Sequence, residues 1–349
     1  MADSSLIALG WSDHFDDQIE EAAFVNTPPA RISDINRKQI SAFSASGEVT
    51  LDLPPTMSAG HLTVGDWILT DPETNRVLSI LERHTVLQRQ SAGAGITRQL
   101  ISANVDTLMI VSSCNDDFNL ARLERYLILA QSNDTQPLIV LTKIDLTDDA
   151  ESYRQQAEAL SPDVQAIAIN SKDPASLAQL SPWVEAGKTA ALVGSSGVGK
   201  STILSGLTGI KVATQGIRED DSKGRHTTTA RSLRPALAGG WLIDTPGVRS
   251  LGLGESYEGL ERVFSDLSEI AHSCKFSDCS HETEPKCAIR NAVDDGSIDG
   301  VRVERWKKLL KENEQNSKTI AKERDRLNSL GRRSKSYAKK KRRGEDQDW

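Results

Sequence analysis

The eight residues Gly194-Ser195-Ser196-Gly197-Val198-Gly199-Lys200-Ser201 constrain the fold of this chain more than any other stretch. They follow the apolar run Ala190-Ala191-Leu192-Val193 and open the helical run Thr202 to Leu207. A strand, a glycine-rich loop and a helix in that order make a phosphate cradle. The glycines let the backbone turn tightly enough to aim successive N–H groups at phosphate oxygens, and the helix N-terminus adds positive potential. In such a cradle Lys200 reaches the β- and γ-phosphates, Ser201 offers its hydroxyl to magnesium, and Thr202 completes the loop. A glycine- and serine-rich surface loop is the rival account. With Gly at about 7% of ordinary chains, four specified positions at fixed spacing argue against it.

Two further elements indicate which nucleotide is bound. Gly240-Trp241-Leu242-Ile243-Asp244-Thr245-Pro246-Gly247 is an apolar strand ending in Asp-x-x-Gly, where the Asp244 carboxylate can hold magnesium through water and the Gly247 amide can sense a γ-phosphate. Between the loop and that strand, Gly224-Arg225-His226-Thr227-Thr228-Thr229 has no helix or strand signature and suits a mobile loop. There Thr228 would cap magnesium and Thr229 would lie beside the phosphates in the triphosphate state; an ordinary β-prone segment is the alternative. Guanine selection is expected from Thr142-Lys143-Ile144-Asp145, because a carboxylate can accept from both N1–H and the exocyclic N2–H₂ of guanine, which adenine lacks. It ends the apolar run Pro137 to Leu141, where a base-binding loop sits in an open α/β sheet. A further strand, Val164 to Ile169, leads into Asn170-Ser171-Lys172, placed to contact the base carbonyl.

The base-reading loops at 142 and 170 therefore precede the phosphate loop at 194, which precedes the switches at 224 and 244. Ordinary GTPases run in the opposite order. With this permuted order, His-Thr-Thr-Thr, Asp-Thr-Pro-Gly-Val-Arg and the cysteine pattern described below, the chain resembles the circularly permuted GTPases of the RsgA (YjeQ) family over nearly its whole length. That resemblance implies an N-terminal OB-fold, a zinc site, GTP hydrolysis stimulated by the small ribosomal subunit, and action late in the maturation of that subunit on its rRNA. One departure is Thr142, where GTPases commonly carry Asn; it is expected to weaken one base or loop contact while leaving guanine preference intact.

Charge is distributed unevenly along the 349 residues. Residues 1–21 carry six acids and no Lys or Arg, whereas residues 302–343 carry 17 basic and five acidic residues. An acidic flexible head and a basic tail suited to phosphate backbones are the expectation. No apolar run approaches membrane-spanning length and no export signal opens the chain, so a cytoplasmic, membrane-free protein, expected to be a monomer, is the reading. From 22 to 92, the β-type runs Gln39 to Ala45, Glu48 to Leu53, Asp66 to Thr70 and Arg76 to Leu81 predict a small five-stranded barrel. Arg83, Arg89 and Arg98 near its exit can either touch RNA phosphate or simply be solvated. From 93 to 255 the pattern is a doubly wound α/β domain, with Val105 to Ser112 as its first strand and Asn119 capping a helix through Leu120, Leu123, Leu127 and Ala130. Cys114 reads as core.

Within 256–331, Cys274-x₄-Cys279-x-His281-x₅-Cys287 supplies a Cys₃His set for one structural zinc ion. A disulfide pair or redox chemistry are the rivals, the first disfavoured without an export signal and the second without a Cys-x-x-Cys. His272 reads as a bystander. One helix through Leu260, Val263, Phe264 and Leu267 joins the Asp-x-x-Gly switch to this site, and a long charged helix bearing Val303, Trp306, Leu309 and Leu310 follows Gly300. Residues 332–349 form the basic tail, with eight charges and no acid between Arg332 and Arg343.

Ras-type GTPases orient the attacking water with a Gln directly after Asp-x-x-Gly; here Val248 stands there and cannot bond water. The polar function is expected from His226, alongside Lys200, with a plain surface histidine as the alternative. The resulting expectation is a GTPase binding GTP, GDP, magnesium and zinc. Two rivals are an RNA-binding placement factor using GTP as a structural switch, and an ATP-using P-loop kinase.

Overall fold

Short strands with period-two burial build the N-terminal unit. The computed structural model describes residues 4–20, 26–36, 39–90, 98–211, 231–245 and 256–319. Strands β1 (Pro29–Ile35), β2 (Gln39–Ser44), β3 (Gly47–Asp52), β4 (Trp67–Asp71) and β5 (Arg76–Ile80) close into a barrel in the order β1-β2-β3-β5-β4. This is the OB-like barrel expected. Its inward faces contribute Ala30, Ile32, Ile40, Ala42, Leu51, Ile68 and Val77 to a separate core. Asp71 organises the β4–β5 hairpin, accepting from the Glu73 N–H at 2.9 Å and the Thr74 hydroxyl at 2.5 Å. The strand not anticipated is β1, which opens on Pro28-Pro29 although Ala30, Arg31, Ile32 and Ser33 keep the apolar–polar alternation. An antiparallel ribbon of β6 (Val86–Gln90) and β7 (Arg98–Ala103) follows. Its two strands pair across the domain boundary expected at residue 92.

The second unit is a six-stranded sheet of β8 (Thr107–Ser113), β9 (Gln136–Thr142), β10 (Gln165–Ala168), β11 (Thr189–Gly194), β12 (Ser232–Pro235) and β13 (Trp241–Asp244), in the order β10-β9-β8-β11-β13-β12. All neighbours are parallel except β12, which is antiparallel to β13. Alternation sorts the side chains to two faces. Leu108, Ile110, Ile139, Ala191 and Ile243 pack with the helix Leu120–Gln131, while Met109, Val111, Leu138, Leu192 and Leu242 pack with Leu177, Leu180, Ile203 and Leu207. Asn119 caps the helix Leu120–Gln131, its Oδ1 accepting from the Arg122 N–H at 3.0 Å. Cys114 is buried just past β8, and burial pushes its thiol up to about 11.

The C-terminal unit is helical. The single helix expected through Leu267 is two, Tyr257–Val263 and Ser265–His272. The break falls at Phe264, fully buried with φ −114° and ψ 35° and covered by the Arg302 guanidinium 5.3 Å from its ring. Gly259 lets Tyr257–Val263 lie directly on Leu120–Gln131: a Cβ there would stand 2.1 Å from Ser132 Oγ and 2.6 Å from the Ile128 carbonyl. Helix Ala288–Asp294 and the helix over 300–319 complete the unit, with Val303, Trp306 and Leu309 buried as expected. The seat against the sheet domain is charge-keyed. Arg305 Nε lies 2.9 Å from both oxygens of Glu124, whose side chain is fully buried, and Arg125 grips Glu312 at 2.8 and 2.5 Å.

Of the acidic segment expected as a flexible head, residues 4–19 are packed. Asp13, Asp17 and Glu20 are exposed and Asp16 is half-buried, accepting from the Trp11 indole N–H at 2.8 Å, but Leu6, Leu9, Trp11 and Phe15 are each under 8% exposed and join the main core. Charge count alone conceals four buried hydrophobes spaced through polar residues. Among the described residues no helix is long and apolar enough to cross a membrane. The basic tail lies outside the described residues.

Candidate functional site

The loop after β11 turns sharply because its glycines permit it. Gly194 has φ +140°, and a Cβ on it would meet the Val111 carbonyl at 2.2 Å; Gly199, at φ +101°, hands the chain to helix Lys200–Thr208. Ser195, Ser196 and Gly197 stand at the surface of this turn while Val198 is buried beneath it. Lys200 Nζ donates back to the carbonyls of Gly194, at 2.8 Å, and Ser195. Its ammonium therefore already sits inside the ring that the loop encloses. Ser201 and Thr202 are half-buried in the first helical turn.

Parallel pairing of β13 with β11 sets Asp244 opposite Leu192. Burial pushes the Asp244 carboxyl above the ordinary range, against the pull of Lys200 and Arg234. Thr245 donates its hydroxyl to the Leu192 carbonyl, fixing the chain as it leaves the strand. Gly247, His226, Thr228 and Thr229 lie outside the described residues.

The guanine-reading candidates gather on the other side of the phosphate loop. Thr142, the last residue of β9, is fully buried and donates its hydroxyl to the Val198 carbonyl at 2.6 Å. The hydroxyl thus ties the end of β9 to the phosphate loop. Lys143 takes the left-handed conformation, φ 62°, which starts the tight turn Ile144–Leu146 that presents Asp145. Lys172 Nζ stands 3.7 Å from Asp145 Oδ2. Asn170 Oδ1 accepts from the Lys172 N–H at 3.0 Å, the Asn170 N–H donates to Ser176 Oγ at 2.9 Å, and buried Ser171 borders Gly199. Residues 142–145, 170–172 and 194–202 thereby form one continuous rim at the C-terminal ends of the strands. The hydroxyl bond from Thr142 was invisible in the sequence, since it spans 56 residues.

The cysteine cluster is a second centre. The ligand atoms of Cys274, Cys279, His281 and Cys287 all lie within 4.8 Å of one another. Cys274 Sγ is 3.9 Å from Cys287 Sγ and 3.6 Å from His281 Nδ1, and His281 Nδ1 is 3.4 Å from Cys287 Sγ. A tetrahedral zinc ion, with Zn–S of about 2.3 Å and Zn–N of about 2.0 Å, separates its ligand atoms by roughly 3.5–3.8 Å, so the donor set fits one such ion. The Ala288 N–H points at Cys274 Sγ (3.3 Å) and the Arg290 N–H at Cys287 Sγ (3.5 Å), placing a helix N-terminus behind the thiolates. The His281 ring stacks on Trp306 at 5.5 Å. His272, exposed at a helix end, takes no part.

Arg83 is committed to the fold, bonded to both oxygens of Asp66 at 2.6 and 2.9 Å and to the His61 carbonyl. It is not free for phosphate. The side chains of Arg89 and Arg98 lie outside the described residues.

Comparison with known proteins matches this geometry. A family model for RsgA GTPase covers residues 80–254. The small ribosomal subunit biogenesis GTPase RsgA of Mesorhizobium japonicum is 47% identical over 317 residues, spanning 90% of this chain and 91% of that protein. RsgA 2 of Vibrio vulnificus is 43% identical over 329 residues, 94% and 93% of the two chains. Among solved structures, YjeQ from Thermotoga maritima superposes with a TM-score of 0.61 at 24% identity, covering 82% of this chain and 98% of that one. YloQ, described as a circularly permuted GTPase, gives 0.59 at 26%, covering 85% and 98%.

Proposed function

This chain belongs to the RsgA GTPase family and is a GTP-hydrolysing enzyme, and from that premise we propose that it turns over GTP on the maturing small ribosomal subunit, binding its rRNA late in assembly and leaving after hydrolysis. It acts as a cytoplasmic monomer. The observation that supports a guanine-nucleotide site most directly is the bond from Thr142 to Val198, because it welds the base-reading loop to the phosphate loop.

On this reading Lys200 exchanges its loop carbonyls for β- and γ-phosphate oxygens, and the amides from Ser195 to Thr202 cradle the remaining oxygens. Asp145 accepts from the guanine edge, Lys143 and Lys172 flank the base, and Asn170 and Ser171 hold the second base loop. Ser201, Thr228 and, through water, Asp244 hold magnesium, which when bound neutralises charge on the phosphates. Gly247 senses the γ-phosphate. His226 orients the attacking water, and Thr229 packs beside the same phosphate. The four-residue Cys₃His centre holds one zinc ion that keeps the C-terminal unit folded.

Thr142→Val is expected to weaken GDP binding about tenfold, since an orphaned buried carbonyl costs ~1–3 kcal/mol, whereas Thr142→Ser keeps the donor and stays near the parent. Titration of a fluorescent GDP analogue measures both.

The function is tested by measuring GTP hydrolysis at low salt with and without purified small subunits, with large subunits and ATP as controls. Strong stimulation by small subunits alone is the expected result. Tight GTP-dependent binding without stimulation would instead make the protein a placement factor. Equal use of ATP would sink the role of Asp145.

A further inference from the structure

Residues 4–19 lie where three parts of the molecule meet, and each part holds them by hydrogen bonds from a different group. The sheet domain holds the segment through Trp241, whose indole N–H donates to the Ala8 carbonyl at 2.8 Å. The barrel holds it through Arg31, which donates to the Leu9 carbonyl with one nitrogen and, at 2.8 Å, to the Asn104 carbonyl before β8 with another. Gly10 makes room for that guanidinium: it has φ +92°, and a Cβ on it would stand 2.6 Å from Arg31 Nη1. The connection between the two units holds it through Glu82, whose N–H donates to Gln18 Oε1 at 2.6 Å and whose carbonyl accepts from Gln18 Nε2 at 3.1 Å. Trp11 packs edge-on against Trp67 of β4 with ring centroids 4.7 Å apart, and Phe15 leans on the same ring at 5.8 Å.

The site on the sheet domain is not a neutral one. Trp241 begins the four-residue strand that Asp244 ends, and its ring also packs on Phe43 of the barrel at 4.8 Å. The far end of the strand carrying the proposed magnesium residue is thus gripped jointly by the barrel and the N-terminal segment.

We propose that residues 4–19 are a strap that fixes the barrel against β13, so that a load applied to the barrel by a bound partner reaches the strand of Asp244. The strap is a positioning device: it touches no nucleotide. This inference rests on the subunit-stimulated reading above. Without the strap, barrel and sheet keep the Phe43–Trp241 contact and the Ala103 N–H to Val64 carbonyl bond, 2.9 Å, across the junction, but lose the three grips just described.

The test compares the full chain with one lacking residues 1–19, with and without a synthetic peptide of residues 1–20. Hydrolysis is measured alone and with small subunits, and hydrogen exchange is followed at amides 101–105. Coupling free energies of the usual size predict that stimulation drops by roughly fivefold or more while basal turnover and GDP affinity stay within about twofold. Junction amides should exchange faster, and the peptide should restore both properties. Equal stimulation of the two chains overturns the proposal. If the full chain is itself not stimulated, the functional reading fails, and exchange alone decides the strap: faster exchange reversed by peptide supports it, unchanged exchange sinks it. If the shortened chain does not fold, Trp241→Phe, which keeps the ring and removes the donor, takes its place. Stimulation of that variant at the parental level overturns the proposal.

Discussion

Asp145→Asn is expected to lower GTP affinity by about 10²–10⁴, because two hydrogen bonds to a charged acceptor, at ~1.5–3 kcal/mol each, are lost. The replacement is nearly isosteric, so the turn Ile144–Leu146 and the left-handed Lys143 that present the side chain are retained. What changes is polarity. An amide offers one acceptor and two donors, so it meets the N2–H₂ of guanine donor against donor. A xanthine base has a carbonyl at that position and should now be preferred. Lys172, 3.7 Å from the carboxylate, loses its ionic partner in the variant, and its side chain is 76% exposed, so that loss alone costs little. Competition of GTP, XTP and ATP against a fluorescent GDP analogue measures the ranking. Unchanged preference for GTP would mean that the base is read elsewhere on the rim.

Loss of the ion from the Cys₃His centre is expected to unfold the C-terminal unit while the sheet domain survives. Structural zinc contributes on the order of 10 kcal/mol to small modules of this kind, far more than three short helices and one longer one recover by packing alone. Cys287→Ser is the sharpest version. Its sulfur is one of the four donors and also accepts from the Arg290 N–H at the start of helix Ala288–Asp294, so ligand and cap weaken together. Trp306 reports the event, since the His281 ring stacked on it is held by the same centre. Metal content by atomic absorption should fall from one zinc per chain toward zero, and tryptophan emission should shift to the red. GDP binding should persist. A variant that binds no zinc yet keeps parental emission and melting would show that the ion is dispensable for folding.

How much of this was legible in the sequence depended on the range of the interaction. The phosphate loop and the cysteine cluster are local patterns, and each carries its chemistry within a few residues. The barrel was legible from alternation except at β1, a short run that opens on two prolines; its Arg31, on the polar face of the alternation, is nonetheless buried. That arginine is buried because backbone carbonyls from residues 9 and 104 satisfy it, and no window around residue 31 contains them. Burial lowers its pKa to about 10, still well above neutrality. The N-terminal segment misled through its acids: Asp13, Asp17 and Glu20 are exposed while Leu6, Leu9, Trp11 and Phe15 do the packing. The helix break at Phe264 has no proline or glycine to announce it; tertiary packing under Arg302 imposes it. The bond from Thr142 to Val198 could not be read from the sequence, because the two residues are remote in it.

The carboxylate of Glu124 has a consequence for how such proteins can be recombined. It is wholly buried and its ionic partner, Arg305, comes from the C-terminal unit. Cutting Arg305 back within the assembled protein would leave that charge buried without its partner, at a cost of about 3–5 kcal/mol, whereas lifting the whole unit away would bare it to water. The C-terminal unit is therefore not a portable cassette. A chimera that grafts residues 256–319 onto another nucleotide-binding sheet inherits an arginine seeking an acid it will not find, and the donor sheet left behind inherits an acid without its arginine. An exchange that keeps the pair intact must carry the helix Leu120–Gln131 together with the C-terminal unit.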